Sequence, residues 1–220
     1  GIVSDSEWRL TPGEDDAMRL ALRWKVALFA VAAACSAAAT ATPTSKRINE
    51  LISTRCSTCH GPTGQSSNAE FPKLAGQNAD YLIRQMFNFK TRARKSNEME
   101  KEMAGLSGND IEELANYFSL QQLVPVARQD KALSETGKKF YMTGSPERGI
   151  SACVVCHGDK ARGARLLPRV AGQHAQYIAI QLRRFAEQSR TTDQMLMHSV
   201  ASKMTEDEIW SVSYFLSGYD

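Results

Sequence analysis

The sequence predicts an all-α protein made of two tandem domains related by internal duplication. Three observations carry that expectation. The stretch Cys56-Ser57-Thr58-Cys59-His60 recurs 97 positions later as Cys153-Val154-Val155-Cys156-His157. A second phrase, Phe71-Pro72-Lys73-Leu74-Ala75-Gly76-Gln77, returns as Leu167-Pro168-Arg169-Val170-Ala171-Gly172-Gln173, and Pro72/Pro168, Gly76/Gly172, Tyr81/Tyr177 and Arg94/Arg190 all lie 96 positions apart. Behind both phrases the apolar residues keep the three-four spacing of an amphipathic helix. Two copies are too few for a solenoid, so two similar globular units are expected. The expected division is a leader and export signal at 1–41, an N-terminal domain at 42–122, a linker at 123–131 and a C-terminal domain at 132–220.

The leader has its own logic. From Met18 the chain carries Arg19, Arg23 and Lys25, then an apolar run over 26–34, then small residues ending Ala39-Thr40-Ala41. This is the pattern of a bacterial export signal, with cleavage expected after Ala41, and it points to the periplasm. The run is short for a membrane span. Residues 1–17 are acidic and polar, and Met18 reads as the true start. A retained membrane anchor is the alternative; lipid attachment at Cys35 is disfavoured because Ala32-Ala33-Ala34 lacks a bulky aliphatic residue before it.

Ser45 caps an expected helix through Ile48, Leu51, Ile52 and Arg55 that delivers the chain to Cys56. Residues 61–68 are rich in turn formers, so no helix is expected there. Leu82, Gln85, Met86 and Phe89 predict the next helix, and Ile178, Gln181, Leu182 and Phe185 its counterpart. Each half closes on a capped helix: Ser107-Gly108-Asn109-Asp110 opens one over Ile111, Leu114 and Phe118, and Thr205-Glu206-Asp207-Glu208 opens the other over Ile209, Val212 and Phe215 or Leu216. Val124-Pro125-Val126 sits in the linker. Beyond it Gly137 and Phe140 share a helical face where a close crossing is expected.

The chemistry lies in the two CxxCH motifs. Two thiols three positions apart can add to the vinyl groups of one porphyrin, and the following histidine is placed to ligate its iron. A zinc site pooling four cysteines, or two redox dithiols, would also use CxxC spacing, but neither explains the histidine. Two of only four histidines in the chain stand at those positions, and four of its five cysteines are used there, leaving no pair for a disulfide. Two covalently attached haem c groups are therefore expected, with Cys56, Cys59 and His60 holding one and Cys153, Cys156 and His157 the other.

What lies across the iron decides between carrier and enzyme. A methionine sulfur favours ferrous iron and blocks other ligands. Met99 and Met103 are candidates in the first half, Met195 and Met197 in the second; Met99 and Met197 each stand seven positions before Leu106 and Met204, which open equivalent helices. They are the matched pair and the expected iron ligands with His60 and His157. The other reading makes them core fillers in loops. Pro72 and Pro168, 12 and 11 residues after their histidines, are expected to offer carbonyls to the imidazole protons. His174 and His198 read as surface residues. Arg94 and Arg190 read either as cations near haem propionates or as solvated helix ends.

The net charge of +3, or +4 after removal of 1–41, is small, and no dense basic run is interleaved with aromatics, so nucleic acid is a poor candidate partner. Between His157 and Arg169 stand Lys160, Arg162, Arg165 and Arg169 against Asp159, whereas the equivalent first stretch has Glu70 and Lys73. The second domain is expected to have the more cationic haem margin and to dock an acidic partner.

Taken together, the CxxCH motifs, the two Pro-Lys/Arg phrases, Met99 and Met197, and the endings Asn116-Tyr117-Phe118 and Tyr214-Phe215-Leu216 resemble the cytochrome c4 family, dihaem c-type cytochromes of bacterial periplasms, over about residues 45–218. The resemblance implies two cytochrome c-like domains facing each other across a pseudo-twofold interface, His/Met ligation of both irons, and soluble or membrane-attached electron delivery to terminal oxidases. One departure is that the first half lacks the Gly137 and Phe140 pair, so its helices are expected to pack differently. The function expected is electron transfer without bond chemistry, from a donor such as a cytochrome bc complex to a haem-copper terminal oxidase. The competing readings are the cytochrome subunit of a dehydrogenase, and a dihaem enzyme of peroxidase or thiosulfate-oxidising type with one open haem site.

Overall fold

The computed structural model describes residues 44–127 and 130–219. The expected leader, export signal and cleavage site, and Cys35, lie outside them. Among the described residues the regular structure is helical, broken only by the isolated bridges Ser145–Ile150 and Ala164–Leu167. None of these helices is long and apolar enough to cross a membrane.

In the N-terminal half the Ser45 hydroxyl accepts the Ile48 N–H and starts α1 (Lys46–Leu51), which buries Ile48 and Leu51. The expected helix continues to Cys56, but as a π turn, Ile52–Cys56, in which the Ile52 carbonyl takes both the N–H and the hydroxyl of Ser57. Sequence periodicity does not signal this inserted residue; its effect is to turn the attachment segment α2 (Ser57–His60) relative to α1. Gly61 at φ 75° ends α2, a conformation open to glycine and costly to most residues. Then follow α3 (Ala79–Lys90), α4 (Asn97–Met103) and α5 (Gly108–Ser119), the last opened by a complete capping box between Ser107 and Asp110. Ile48, Leu82, Phe89, Ile111, Leu114 and Phe118 centre this core.

The C-terminal half repeats the order with different details. Asp130 caps α6 (Lys131–Thr143), which stops at Gly144; a 3-10 turn, Pro146–Arg148, intervenes before the attachment segment α7 (Val154–His157). After it come α8 (Ala175–Ala186), α9 (Leu196–Ala201) and α10 (Glu206–Ser217), the last with a capping box between Thr205 and Glu208. Tyr141, Ile178, Leu182, Ile209, Val212 and Phe215 centre the second core.

The two halves close in chemically distinct ways, as the missing glycine in the first half implies. In the second, Gly137 lets α6 lie directly on α10: a Cβ there would stand 2.0 Å from the Ser211 carbonyl oxygen and 2.8 Å from Phe215 Cβ. In the first, Arg47 on α1 grips the buried Asp110 of α5 with bonds of 2.5 and 2.8 Å. Those bonds from Arg47, followed by the Ser107 N–H, hold the Asp110 carboxyl well below the usual carboxylate range.

Two outcomes follow. Gly137→Ala forces α6 and α10 apart and should cost about 3 kcal/mol by overpacking, read as a lowered denaturation midpoint of the C-terminal half. Asp110→Asn should lower N-terminal stability at neutral pH by about 2 kcal/mol. Because the folded-state value is depressed, the wild-type contribution is full above about pH 4, the unfolded value, and fades as pH falls from there through the lower folded-state value. Acid titration of the variant should therefore show a flatter loss of stability than wild type.

Candidate haem sites and the seam between them

Cys56, Cys59, Cys153 and Cys156 form no disulfide with one another. Before haem is attached, burial raises the Cys56 and Cys153 thiols to about 11. Among the described residues no three His, Cys, Asp or Glu side chains gather as metal ligands, so the two CxxCH segments do not pool into one zinc site.

Each histidine after the second cysteine is held through one ring nitrogen. His60 Nδ1 lies 2.9 Å from the Pro72 carbonyl oxygen and His157 Nδ1 lies 3.1 Å from that of Pro168. A carbonyl only accepts, so Nδ1 carries the proton and donates it, leaving the Nε2 lone pair for a metal. Burial lowers the pKa of both imidazoles, opposed by the proline carbonyls, and keeps the rings in the neutral, ligating form.

Met99 and Met197 are half-buried against the cores of their respective halves, alongside Cys56 and Cys153. They do not stand in loops, as the sequence suggested. Met99 is in α4, where the Ser96 hydroxyl accepts its N–H; Met197 is in α9, where Asp193 accepts its N–H at 2.6 Å. Both caps were present in the sequence, but the helices they start are too short to show periodicity. Of the alternatives, Met103 is 3% exposed and packed into the apolar core, and Met195 occupies the left-handed position that starts α9.

The seam between the halves departs furthest from what the sequence predicts. Arg94 and Arg190 are buried, not solvated helix ends. Each helix exits through a left-handed residue, Arg92 (φ 61°) after α3 and Gln188 (φ 59°) after α8. The following arginine N–H returns to the Asn88 or Arg184 carbonyl, and the guanidinium lies over Phe89 or Phe185, 4.6 and 4.5 Å from the ring centres. Arg94 donates to Gln85 of its own half at 2.8 Å and to Gln181 and Tyr177 of the other at 2.9 and 3.0 Å. Arg190 donates to Gln181 at 2.7 Å and to Gln85 and Tyr81 at 3.1 and 2.9 Å. Both amide oxygens thus serve both cations.

The glutamines that end the repeated phrase clamp the partner half's backbone. Gln77 accepts from the Arg169 N–H and donates to the Arg169 carbonyl, both at 2.8 Å; Gln173 does the same to Lys73, both at 2.9 Å. His174, expected at the surface, is 8% exposed, and its Nε2 lies 3.0 Å from the Ser66 carbonyl oxygen of the other half. Burial and the neighbouring Lys73 charge lower its pKa. Its counterpart Asn78 makes the equivalent reach to the Arg162 carbonyl at 3.1 Å. His198 is half-buried, with Nδ1 3.0 Å from the Phe185 carbonyl oxygen. Arg169 likewise belongs to the seam rather than to an exposed basic margin; Lys160, Arg162 and Arg165 remain exposed.

The linker crosses this seam. Leu123 lies against the equivalent glycines Gly76 and Gly172, and the Val124 carbonyl accepts from Lys73 Nζ at 2.5 Å and Gln65 at 2.8 Å.

Two helical units in tandem, each with a CxxCH segment and an imidazole aimed through Nε2, define a dihaem c-type cytochrome. Matches to the Cytochrome c family model cover residues 45–120 and 134–219. Cytochrome c4 of Azotobacter vinelandii is 38% identical over 176 residues, spanning 74% of this chain and 83% of its own. The crystal structure of reduced recombinant cytochrome c4 from Pseudomonas stutzeri superposes with a TM-score of 0.74 at 35% identity, covering 78% of this chain and 97% of that one. A thiosulfate dehydrogenase electron acceptor of Thiomonas intermedia is 34% identical over 167 residues, 74% of this chain and 77% of its own. The chain belongs to the cytochrome c family and, within it, to the dihaem cytochromes c4, electron-transfer proteins with two covalently bound haem c groups.

The seam residues fit such a cofactor. Among the described residues the hydrogen-bond partners of both buried guanidiniums are amides and phenols, not carboxylates, and Arg190 Nε is buried without a partner. Asp193 lies close enough to raise the Arg190 pKa, but the direct acceptors of both cations are neutral, so the seam has charge to spare for an anion such as a haem carboxylate.

Replacing Gln77 and Gln173 together by alanine removes four hydrogen bonds across the seam, each worth about 1 kcal/mol. The seam should then open more readily while the arginine network still holds the halves, seen as faster amide hydrogen exchange at Lys73 and Arg169, with both haem spectra retained.

Proposed function

We propose that this protein is a periplasmic one-electron relay with two six-coordinate haems. Cys56 and Cys59 would bind one porphyrin and Cys153 and Cys156 the other, with His60 and Met99 holding one iron and His157 and Met197 the other. The observation that carries this reading is the same arrangement in both halves: an imidazole committed through Nδ1 to a proline carbonyl, and a half-buried methionine on a short helix packed against the same core.

Bound haem supplies a centre that gains and loses one electron without making or breaking bonds to a substrate. The chain's own residues do the rest. The Pro72 and Pro168 carbonyls fix the ring planes and make Nε2 a better donor. The two cores keep water from the cofactor, and Arg94 and Arg190 offer charge for carboxylates at the seam. Because both halves pack through that seam, the two centres belong to one body, suited to pass electrons between donor and acceptor docked at different faces.

The donor proposed is a quinol-oxidising membrane complex such as cytochrome bc, and the acceptor a haem-copper terminal oxidase, with the protein free or membrane-attached. A second reading, a dedicated acceptor for a dehydrogenase, is favoured by the similarity to the thiosulfate dehydrogenase electron acceptor. A dihaem enzyme with an open site is opposed by the matched methionines.

Ferric absorption and redox titration of the wild type, Met99→Ala and Met197→Ala separate these. Each substitution should remove the methionine-to-iron charge-transfer band of one haem, lower that haem's potential and open it to carbon monoxide. A wild-type protein that binds carbon monoxide readily at one haem would instead favour the enzyme.

A further inference from the structure

The two candidate axial methionines each stand near the start of a short helix, and in both halves a side chain ahead of that helix accepts the methionine's own N–H. The acceptors differ. In the first half it is the neutral Ser96 hydroxyl, at 3.3 Å; in the second it is a carboxylate oxygen of Asp193, at 2.6 Å. A charged acceptor makes the shorter and stronger bond. The second half has need of it. Met99 stands five residues after Arg94, whereas Met197 stands seven after Arg190, so two extra residues must be folded into the same approach. They are taken up in a turn where Gln194 and Met195 both lie in the left-handed region, at φ 59° and 66°, which is unfavourable for residues with a Cβ. Among the described residues from Arg94 to Met99 none is left-handed. The Asp193 carboxylate spans the turn and ties its far end, the Met197 N–H, back to its start.

The same carboxylate brings a charge close to one ligand only. Asp193 Oδ1 is buried and, among the described residues, has no hydrogen-bond partner, so water screens it poorly. The Arg190 guanidinium lies within electrostatic range, but Arg94 is its equivalent in the first half, and the carboxylate is what differs. In the first half Glu98 accepts from the Ser96 hydroxyl at 3.1 Å and is exposed. Glu100 accepts from the Ser96 N–H at 3.3 Å, and its other oxygen lies 3.3 Å from Arg92. Both of these charges bond Ser96 rather than the Met99 N–H, one of them in solvent and the other paired.

We propose that Asp193 is the positioning residue for Met197, and that its buried charge makes the second haem easier to oxidise than a neutral cap would. One oxygen holds the strained turn so that the methionine reaches its place. The negative charge favours ferric iron, which carries one more positive charge than ferrous iron, and in a poorly screened setting that preference is large. Asp193 acts through the Met197 backbone and through its field, and it exchanges no proton or electron itself. This inference rests on the reading of Met197 as the iron ligand.

The test is a redox titration of the holoprotein followed by absorption spectra, and it works because the two effects have opposite signs. Loss of a methionine ligand lowers a haem's potential, whereas loss of a nearby negative charge raises it. Met197→Ala marks which titration step belongs to the second haem. Asp193→Asn keeps an acceptor for the Met197 N–H without the charge. It should retain both methionine-to-iron bands and raise the second haem's ferrous-to-ferric ratio at fixed potential about tenfold, or about 59 mV for one electron, with the first haem unchanged. Asp193→Ala removes the acceptor as well; it should weaken the second haem's band and speed carbon monoxide binding there about tenfold, the worth of a charged hydrogen bond. Ser96→Asp, which puts a carboxylate at the equivalent cap, should lower the first haem's potential. A second-haem potential that is unchanged or lower in Asp193→Asn, or an equal rise at both haems, would overturn the assignment of charge. A wild-type band and carbon monoxide rate in Asp193→Ala would overturn the positioning role. Retention of the second haem's band in Met197→Ala would instead sink the ligand reading beneath both.

Discussion

Two amide oxygens hold this molecule together. Gln85 and Gln181 each accept from both Arg94 and Arg190, so neither half can satisfy its own arginine without the other. Burial of a guanidinium costs several kcal/mol even after relaxation, and two buried near each other add repulsion. The seam tolerates them because the phenols of Tyr81 and Tyr177, the rings of Phe89 and Phe185 and the shared amides surround the charge. Such a network has few alternative arrangements that keep both amides shared, so it fixes the register of the halves as well as their contact.

Around that seam the halves have diverged where packing allows. One closes its terminal helices by removing a side chain at Gly137, the other by an ion pair between Arg47 and Asp110. One reaches its attachment segment through a π turn, the other through a broken helix and a 3-10 turn. These routes deliver the same result, an imidazole oriented by a proline carbonyl. The constraint acts on the ring, and the path of the backbone leading to it is free to vary.

Much of this was legible in the sequence. The long helices announce themselves by periodicity and by the Ser107 and Thr205 caps, because those signals are local. The CxxCH segments and the proline carbonyls were legible for the same reason. The seam was not, since each of its contacts joins residues about a hundred positions apart. One signal did point to it. Gln77, Tyr81, Gln85 and Arg94 are all repeated as Gln173, Tyr177, Gln181 and Arg190, although most polar surface positions differ between the halves. Polar residues retained in both copies of a duplication have partners, and here the partners are each other. His174 escaped that signal because its counterpart is Asn78, a different residue making the same reach to a carbonyl. The π turn left no trace in the periodicity because one inserted residue is absorbed within a single turn.

The separation of the seam contacts in sequence bears on how the molecule is made. A chain synthesised from its N-terminus presents Gln77, Gln85 and Arg94 long before Arg169, Gln181 and Tyr177 exist. The first half must therefore stand alone with its seam open to water, and the linker that Lys73 will grip through Val124 has only half of its bed. Closure is the late, long-range event, and it is there that loop entropy falls most heavily on the folding rate. Assembly of the pair is thus ordered in time by the chain itself, the second half serving as the template on which the first is finished.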